Sequence, residues 1–267
     1  MHNFIGRSQT TSCALDPARA MALHMTLALP DPQPAVGAPL PPFWHQIYFW
    51  DAQPPANLGR DGHPKTGGFI PDLGLPRRMW AGGKLQFHTP LRTGTKATKT
   101  TTIEAVSEKS GRSGPLAFLT LRHDITQSGT LCVTEHQDLV YRKDPNPSAP
   151  PPHVPIARTD ETSTETHRFN STELFRYSAL TMNGHRIHYD ETYAREVEGY
   201  SGLVIHGPLL AQYLMLMAAR HLGPLTTFQF RATAPLMHTE TAEFCINGNT
   251  LWGRAPDGRQ CMLATAN

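Results

Sequence analysis

One stretch constrains the fold of this chain more than any other: residues 208–222 combine helix-favouring residues with an almost continuous apolar surface. Pro208 suits the first helical position, where its missing N–H costs nothing. Apolar residues follow on nearly all sides, which is typical of a helix buried in a core. Arg220 and His221 suit the negative end of the helix dipole, and Gly223 followed by proline ends the pattern. The sequence therefore predicts a buried helix that other elements must surround.

The entry to this helix is suited to a ligand. His206 and Gly207 precede the first turn, where helical N–H groups lack intrahelical acceptors. Such an end can stabilise an oxyanion, and glycine lets a ligand approach the backbone closely. The alternative is that Gly207 only permits a tight entry turn, which is a common use of glycine.

Titratable residues crowd the stretch upstream, between a strand predicted over residues 173–180 and a short helix that Asp190 can cap. They include Asn183, His185 and His188 as well as Asp190. Burying such groups is costly unless they are paired or used. The stretch is therefore either a functional loop or a capped loop with solvated histidines.

These residues carry a family resemblance. N-G-H-R-I-H from Asn183 resembles the D-x-N-P-x-H motif of the MaoC-like, R-specific (type 2) enoyl-CoA hydratases, and V-I-H-G resembles their I-x-H-G. L-P-R-R-M-W-A-G-G from Leu75 is similar to a subgroup containing mesaconyl-CoA (3-methylfumaryl-CoA) hydratases and 3-hydroxyacyl-thioester dehydratases type 2. The resemblance covers most of the chain. It implies an α+β double hotdog, in which two antiparallel sheets, each wrapping a central helix, join side by side.

The resemblance also implies catalytic roles for His188, Asn183 and Gly207. His188 matches the family's catalytic histidine, and the Gly207 N–H suits stabilisation of the thioester oxygen. Asn183 stands where the family has an aspartate, and an amide cannot take a proton. Three routes stay open: His188 with water alone, or either His185 or Asp190 as a second acid/base.

Substrate contacts are predicted around two arginines. Arg77 and Arg78 beside Trp80 suit the phosphate or pantetheine end of a thioester carrier, or an acidic acyl group. We add Arg186 and His206, which flank the catalytic positions. The alternative for the two arginines is a solvated loop with acidic neighbours.

The rest of the chain divides into two halves. A helix over residues 18–29, interpreted as a counterpart of 208–222, precedes an antiparallel meander. An aromatic segment, 43–50, either plugs the core or walls an acyl pocket. The meander strands are predicted over residues 84–89, 98–108, 115–125 and 130–141, and later strands over 226–234, 242–246, 251–254 and 259–264. The predicted domains are an N-terminal hotdog half (1–142), a proline-rich linker (143–166) and a C-terminal half with the hydratase motif (167–267).

Composition excludes several classes of function. Lys and Arg number 24 against 22 Asp and Glu, which is too balanced to indicate nucleic-acid binding. No apolar run reaches the roughly 18 residues of a membrane helix, and no secretion signal is visible. Cysteine and histidine spacings match no zinc or redox motif. We therefore expect no cofactor, no metal and a cytoplasmic location.

The sequence thus predicts a hydro-lyase that reversibly adds water to a 2-enoyl thioester, carried by CoA or by an acyl-carrier protein. A short branched dicarboxylic acyl-CoA such as mesaconyl-CoA is the first choice of substrate, and a 3-hydroxyacyl-ACP/CoA dehydratase of fatty-acid metabolism is the alternative. A hotdog thioesterase and a non-catalytic acyl-thioester binder are alternatives of other classes. We also expect a homodimer.

Overall fold

The computed structural model describes residues 4–111, 114–144 and 154–267. The strands are β1 (Ser8–Ala14), β2 (Arg77–Phe87), β3 (Lys96–Gly111), β4 (Gly114–Gln127), β5 (Thr130–Arg142), β6 (Ser163–Arg168), β7 (Thr227–Ala232), β8 (Thr241–Asn247), β9 (Thr250–Arg254) and β10 (Gln260–Ala266). The helices are α1 (Pro17–Thr26), α2 (Ser171–Thr181), α3 (Glu191–Glu196) and α4 (Gly207–Leu222). Short 3₁₀ turns lie at Trp44–Ile47, Pro55–Asn57 and Arg186–His188. In the ranges described, no helix combines the length and apolar character that a membrane crossing requires.

The strands form one antiparallel sheet in the order β1-β3-β4-β5-β2-β7-β10-β9-β8-β6. Each half, read from its outer edge inward, therefore has the same order: first strand, third, fourth, fifth, second. The halves join where β2 pairs with β7, with Gly83 opposite Phe230. This repeat confirms the prediction of two joined halves. Because the pair is antiparallel, the start of β2 lies near the end of β7.

Helix α4 forms the core of the second half, as its sequence predicts. It packs on β8, β9 and β10 and also reaches β2 and β7 at the junction. Leu209, Leu214 and Met217 are completely shielded from solvent. Packing of this kind supplies most of the stability of a helix in a protein. The start of α4 is thereby held rigidly against the sheet.

The strand predicted over residues 173–180 is wrong, because this segment is helix α2. Asn170 caps the helix by accepting a hydrogen bond from the Glu173 N–H at 3.0 Å. Leu174, Tyr177 and Ser178 are all buried. Their spacing of three and four residues is the helical period, so one face of the segment meets the core.

The first half has no long helix equivalent to α4. Helix α1 follows β1 as α2 follows β6, and α1 contacts α2, so its counterpart is α2 and not α4. The aromatic segment fills the space instead: Phe43, Trp44 and Ile47 are buried. The interpretation of this segment as a core plug is confirmed.

Two outer strands were missed. β1 and β6 are short, rich in Ser and Thr, and largely exposed, so they lack the apolar alternation that identifies a strand. β6 starts at Ser163, so the last residues of the predicted linker, 143–166, belong to the sheet. Residues 145–153 of that linker lie outside the described ranges, and the domain bounds themselves stay a prediction.

Replacing Leu214 with alanine should destabilise the protein by about 2–5 kcal/mol, because a buried leucine leaves both lost burial and a cavity. Leu222, at the end of the same helix and 41% exposed, is the matched control, and its alanine variant should stay within about 0.5 kcal/mol of the wild type. Urea denaturation followed by circular dichroism measures both. Equal effects would show that α4 is not held by its middle turns.

Candidate active site

The first turn of α4 leaves one backbone donor available. Leu209 and Leu210 both donate their N–H groups to the His206 carbonyl, at 3.0 and 3.1 Å, and Pro208 has no N–H. Within the described part of the chain, the Gly207 N–H has no acceptor. Gly207 is partly accessible, and a side chain there would approach the Trp80 carbonyl to 3.8 Å. The first turn of α4 thus offers a donor beside a wall formed by β2.

Asn183 shapes the loop that follows α2. Its N–H donates to the Ser178 carbonyl at 2.9 Å. Its Oδ1 accepts the His185 N–H at 3.0 Å, and the side chain is half-buried. These bonds set the course of the backbone through a 3₁₀ turn that ends at His188.

His188 has the geometry of a base. Its Nδ1–H donates to the Val204 carbonyl at 2.7 Å. A carbonyl oxygen only accepts, so the neutral ring carries its proton on Nδ1 and its lone pair on Nε2. Burial, and then the neighbouring His185, lower the pKa of His188 to about 3. His188 is therefore neutral at physiological pH, with Nε2 able to accept a proton.

The His206 ring packs against the ring of His188. The two rings stack with centroids 3.7 Å apart. His206 is fully buried, and its Nε2 is 2.8 Å from the Ser178 hydroxyl. The His206 ring thus packs against the His188 ring, and contact of His206 with a substrate stays a prediction.

Two more histidines extend the row. The His185 ring lies 5.3 Å from that of His188, and the His63 ring lies 4.4 Å from that of His185. The His63 Nδ1–H donates to Asp61 at 2.9 Å. We call Asp61, His63, His185, His188 and His206 the histidine row.

The charges of this row follow from burial. Burial, and then the positive charge of Arg78, lower the pKa of His63 to about 4, against the opposing effect of Asp61. Burial, and then His63, lower the pKa of His185 to about 3. Burial alone would raise the pKa of Asp61, but the hydrogen bond and charge of His63 outweigh it and keep that pKa low. At neutral pH the row holds one carboxylate and neutral imidazoles.

A close contact between two loops places Asp61 and His63 at the site. The Arg186 N–H donates to the Asp61 carbonyl at 2.8 Å, and Arg186 Nη1 donates to the Arg60 carbonyl. A Cβ added at Gly62 would overlap the Gly184 carbonyl oxygen. Only glycine permits this approach, which joins a loop of the first half to residues 183–188 of the second. We call residues 183–188 the motif loop.

Asp61 and His63 are not among the site residues that the sequence predicts. They lie in a glycine- and proline-rich segment, D-G-H-P, that resembles an ordinary surface loop. The signal was an aspartate two residues before a histidine, and it is weak alone. Potential ligand atoms of Asp61, His63 and His185 lie within 4.8 Å of one another, so the structure forms a cluster where the sequence predicts no metal.

The two predicted arginines differ in their surroundings. Arg77 is buried in an ion pair with Glu198, and its Nη2 donates to the Tyr200 hydroxyl at 3.3 Å. These contacts occupy the Arg77 guanidinium, and its binding of substrate stays a prediction. Arg78 is half-buried, faces Tyr141 across the β2–β5 pair, and has no carboxylate partner among the residues described. Its charge reaches His63 and His185.

Asp190 and Arg186 are occupied by each other. Asp190 caps α3 by accepting the Tyr193 N–H at 2.9 Å, and it accepts two further bonds from Arg186, at 2.7 and 3.0 Å. The Tyr193 N–H and the Arg186 charge lower the pKa of Asp190. Asp190 and Arg186 thus bind each other, and their roles as an acid/base group and a substrate contact stay predictions.

Trp80 lies on β2 at the junction of the halves. Its indole N–H donates to the Gly82 carbonyl at 2.9 Å. Its ring packs between Phe43 and Phe230, with centroids 6.2 and 6.3 Å away. Trp80 is therefore part of the apolar wall beside Gly207, and contact with a substrate there stays a prediction.

The chain matches the hydroxyacyl-thioester dehydratase type 2 family over residues 43–238. A Chloroflexus aurantiacus protein named mesaconyl-C(4)-CoA hydratase is 44% identical, covering 98% of this chain and 95% of that protein. A solved MaoC-like dehydratase superposes with a TM-score of 0.73 at 15% identity, covering 98% of this chain and 97% of that chain. A Mycobacterium tuberculosis protein described as a double hotdog superposes with a TM-score of 0.61 at 13% identity, covering 98% and 95%. These structural similarities confirm the predicted α+β double hotdog fold.

Replacing Gly62 with alanine should lower the stability of the protein by about 1–3 kcal/mol more than the same change at Gly67, because an added methyl group there forces the two loops apart. Both glycines have positive φ, +86° and +99°, but nothing lies within 4 Å of a Cβ at Gly67. The comparison with Gly67→Ala therefore removes the contribution of backbone strain from the difference in stability. Thermal unfolding measures the difference, and equal melting temperatures would contradict the close contact.

Proposed function

The chain belongs to the hydroxyacyl-thioester dehydratase type 2 family, and from this membership and the site we propose a hydro-lyase that reversibly adds water to a 2-enoyl thioester. The observation that carries the proposal is the hydrogen bond from His188 Nδ1–H to the Val204 carbonyl. It leaves Nε2 as a base and ties that base to the segment leading into α4. Base and oxyanion donor are two of the groups that hydration requires, and the third is a proton donor for C2.

The proposed reaction begins with activation of a water molecule by His188. His188 Nε2 accepts a hydrogen bond from water and takes its proton as the water oxygen bonds to C3. The π electrons of C2=C3 move toward the thioester carbonyl, whose oxygen becomes negative and accepts the Gly207 N–H. A proton from a second acid then bonds to C2 and the carbonyl re-forms, and the proton that His188 took from water replaces the one that this acid gave up. Dehydration is the reverse sequence.

Asn183 acts in this scheme as a positioning residue. Its Oδ1 is used by the His185 N–H, so the amide holds the loop that carries both His185 and His188. An amide has no proton to exchange with the substrate. Asn183 therefore takes the place of the family aspartate in the loop without taking its proton-transfer role.

The substrate class follows from Arg78. A mesaconyl thioester carries a second carboxylate, and a half-buried guanidinium without an acidic partner suits that group. The relative named mesaconyl-C(4)-CoA hydratase supports this choice. The family name supports the alternative, dehydration of a 3-hydroxyacyl thioester on CoA or an acyl-carrier protein, which is the same chemistry in the opposite direction.

A homodimer and a cytoplasmic location also stay proposals. Met25 on α1 and Phe175 on α2 are exposed on two helices that contact each other. Exposed apolar side chains of this kind suit a contact between copies.

Replacing His188 with alanine should lower kcat by about 10²–10⁴, the usual contribution of one general acid–base group. The loss follows from removal of the base that is bonded to Val204, in the segment leading into α4. The measurement is enoyl-CoA absorbance with mesaconyl-CoA and crotonyl-CoA, with release of free thiol followed in parallel. The exposed His221→Ala is the control. A near-wild-type kcat, or thiol release as the main reaction, would contradict the assignment.

Replacing Arg78 with alanine should raise KM for mesaconyl-CoA by about 10–100-fold, since a hydrogen bond to a charged group contributes about 1.5–3 kcal/mol. KM for crotonyl-CoA, which has no second carboxylate, should change little. Steady-state kinetics with both substrates make the comparison, and Arg122→Ala on exposed β4 is the matched control. Equal increases for the two substrates would place Arg78 on the carrier instead of the acyl group.

A further inference from the structure

We propose that His63, held by Asp61, is the second proton-transfer group of this site, taking the role that the wider family gives to the aspartate at position 183. The proposal rests on the proposed hydratase function. It concerns two residues from the first half of the chain, outside the motif loop.

The three histidine rings are close neighbours. The His185 ring lies 4.4 Å from the His63 ring and 5.3 Å from the His188 ring, centroid to centroid. No direct hydrogen bond joins these rings in the described residues, so the proposed proton transfer between them goes through a bridging water. Asp61 accepts the His63 Nδ1–H at 2.9 Å, so the lone pair of His63 lies on Nε2, on the opposite side of the ring. The side chain of His63 is 16% exposed, more than the neighbouring His185 and His188, so a ligand can reach it.

The other carboxylates near the motif loop form ion pairs with arginines. Asp190 caps α3 and pairs with Arg186. Glu198 is paired with Arg77. Asp61 alone is bonded to a histidine of the row. It is therefore the group that can stabilise a positive charge on that row.

Asp61 acts on His63 in two ways. It fixes the tautomer, and it stabilises the imidazolium that forms when Nε2 takes a proton. Neither His185 nor His188 has a carboxylate bonded to its ring in the described structure, since His188 donates to a carbonyl. His63 is the histidine on which a transferred proton costs least.

The proton balance closes without a co-reactant. In hydration, His188 takes one proton from water as the water oxygen bonds to C3 and hands a proton to His185, which hands one to His63. Protonated His63 then donates to C2, where the former π pair becomes the C2–H bond, and all three rings are neutral again. In dehydration, His63 Nε2 removes the C2 proton, a proton returns through His185 to His188, and protonated His188 gives it to the departing hydroxyl.

Two variants test this role in the full-length enzyme. His63→Ala should lower kcat by about 10²–10⁴ with little change in KM. Added imidazole should restore part of the lost activity, because it can occupy the space left by the ring; a purely structural role predicts no rescue. Asp61→Asn should lower kcat by about 10²-fold or more, because an amide can donate to Nδ1 and move the ring proton to Nε2.

The control for the carboxylate is Asp72→Asn, in the same loop region, where Asp72 is exposed and bonds only the Gly74 N–H. It should keep the wild-type kcat. Circular dichroism and melting temperatures establish that each variant is folded.

Three results would overturn the proposal: near-wild-type kcat in His63→Ala, a loss that imidazole does not reverse, or wild-type activity that EDTA abolishes and zinc restores. The last would make Asp61, His63 and His185 metal ligands. If His188→Ala is inactive while His63→Ala is active, the role of His63 is refuted and the proposed hydratase function stands. If the wild type hydrates none of the tested thioesters, the proposed function itself fails.

Discussion

The structure of the site depends on a reciprocal pair of hydrogen bonds between the motif loop and the segment before α4. Val204 donates its N–H to the Ile187 carbonyl at 3.0 Å and accepts the His188 Nδ1–H at 2.7 Å. Because α4 is packed on the sheet, these two bonds place the His188 ring relative to a rigid helix start. The same bond that positions His188 also selects its tautomer, so position and chemistry have one cause.

Burial of several histidines together sets the electrostatics. An imidazolium is poorly solvated in a core, so the neutral form is favoured, and each ring further disfavours a charge on its neighbours. A buried row of this kind would be expensive without polar partners. Ser178, Val204 and Asp61 supply them. The result is a set of neutral bases with a single anion at one end.

The site is shared between the halves because of how the sheet is joined. Strand β2 pairs with β7 and brings the Trp80 carbonyl beside Gly207 at the start of α4. The charge of Arg78, on the same strand, reaches His63 and His185. The loop contact at Gly62 then adds Asp61 and His63 to the motif loop. The repeat is unequal: the first half carries an aromatic plug where the second carries α4. The second half thus supplies the motif loop and α4, and the first half supplies Asp61, His63, Arg78 and Trp80.

The sequence by itself determined the buried helix, its start to within one residue and most strands, because apolar periodicity and caps are local signals. It failed for α2, whose helical face depends on what it packs against, and for the polar outer strands. Only the tertiary structure decided which charged residues form ion pairs within the chain. Arg77 pairs with Glu198, and Asp190 pairs with Arg186. The tertiary structure also joined Asp61 and His63 to residues more than a hundred positions away. Contacts between distant segments depend on folded geometry, which no local pattern encodes.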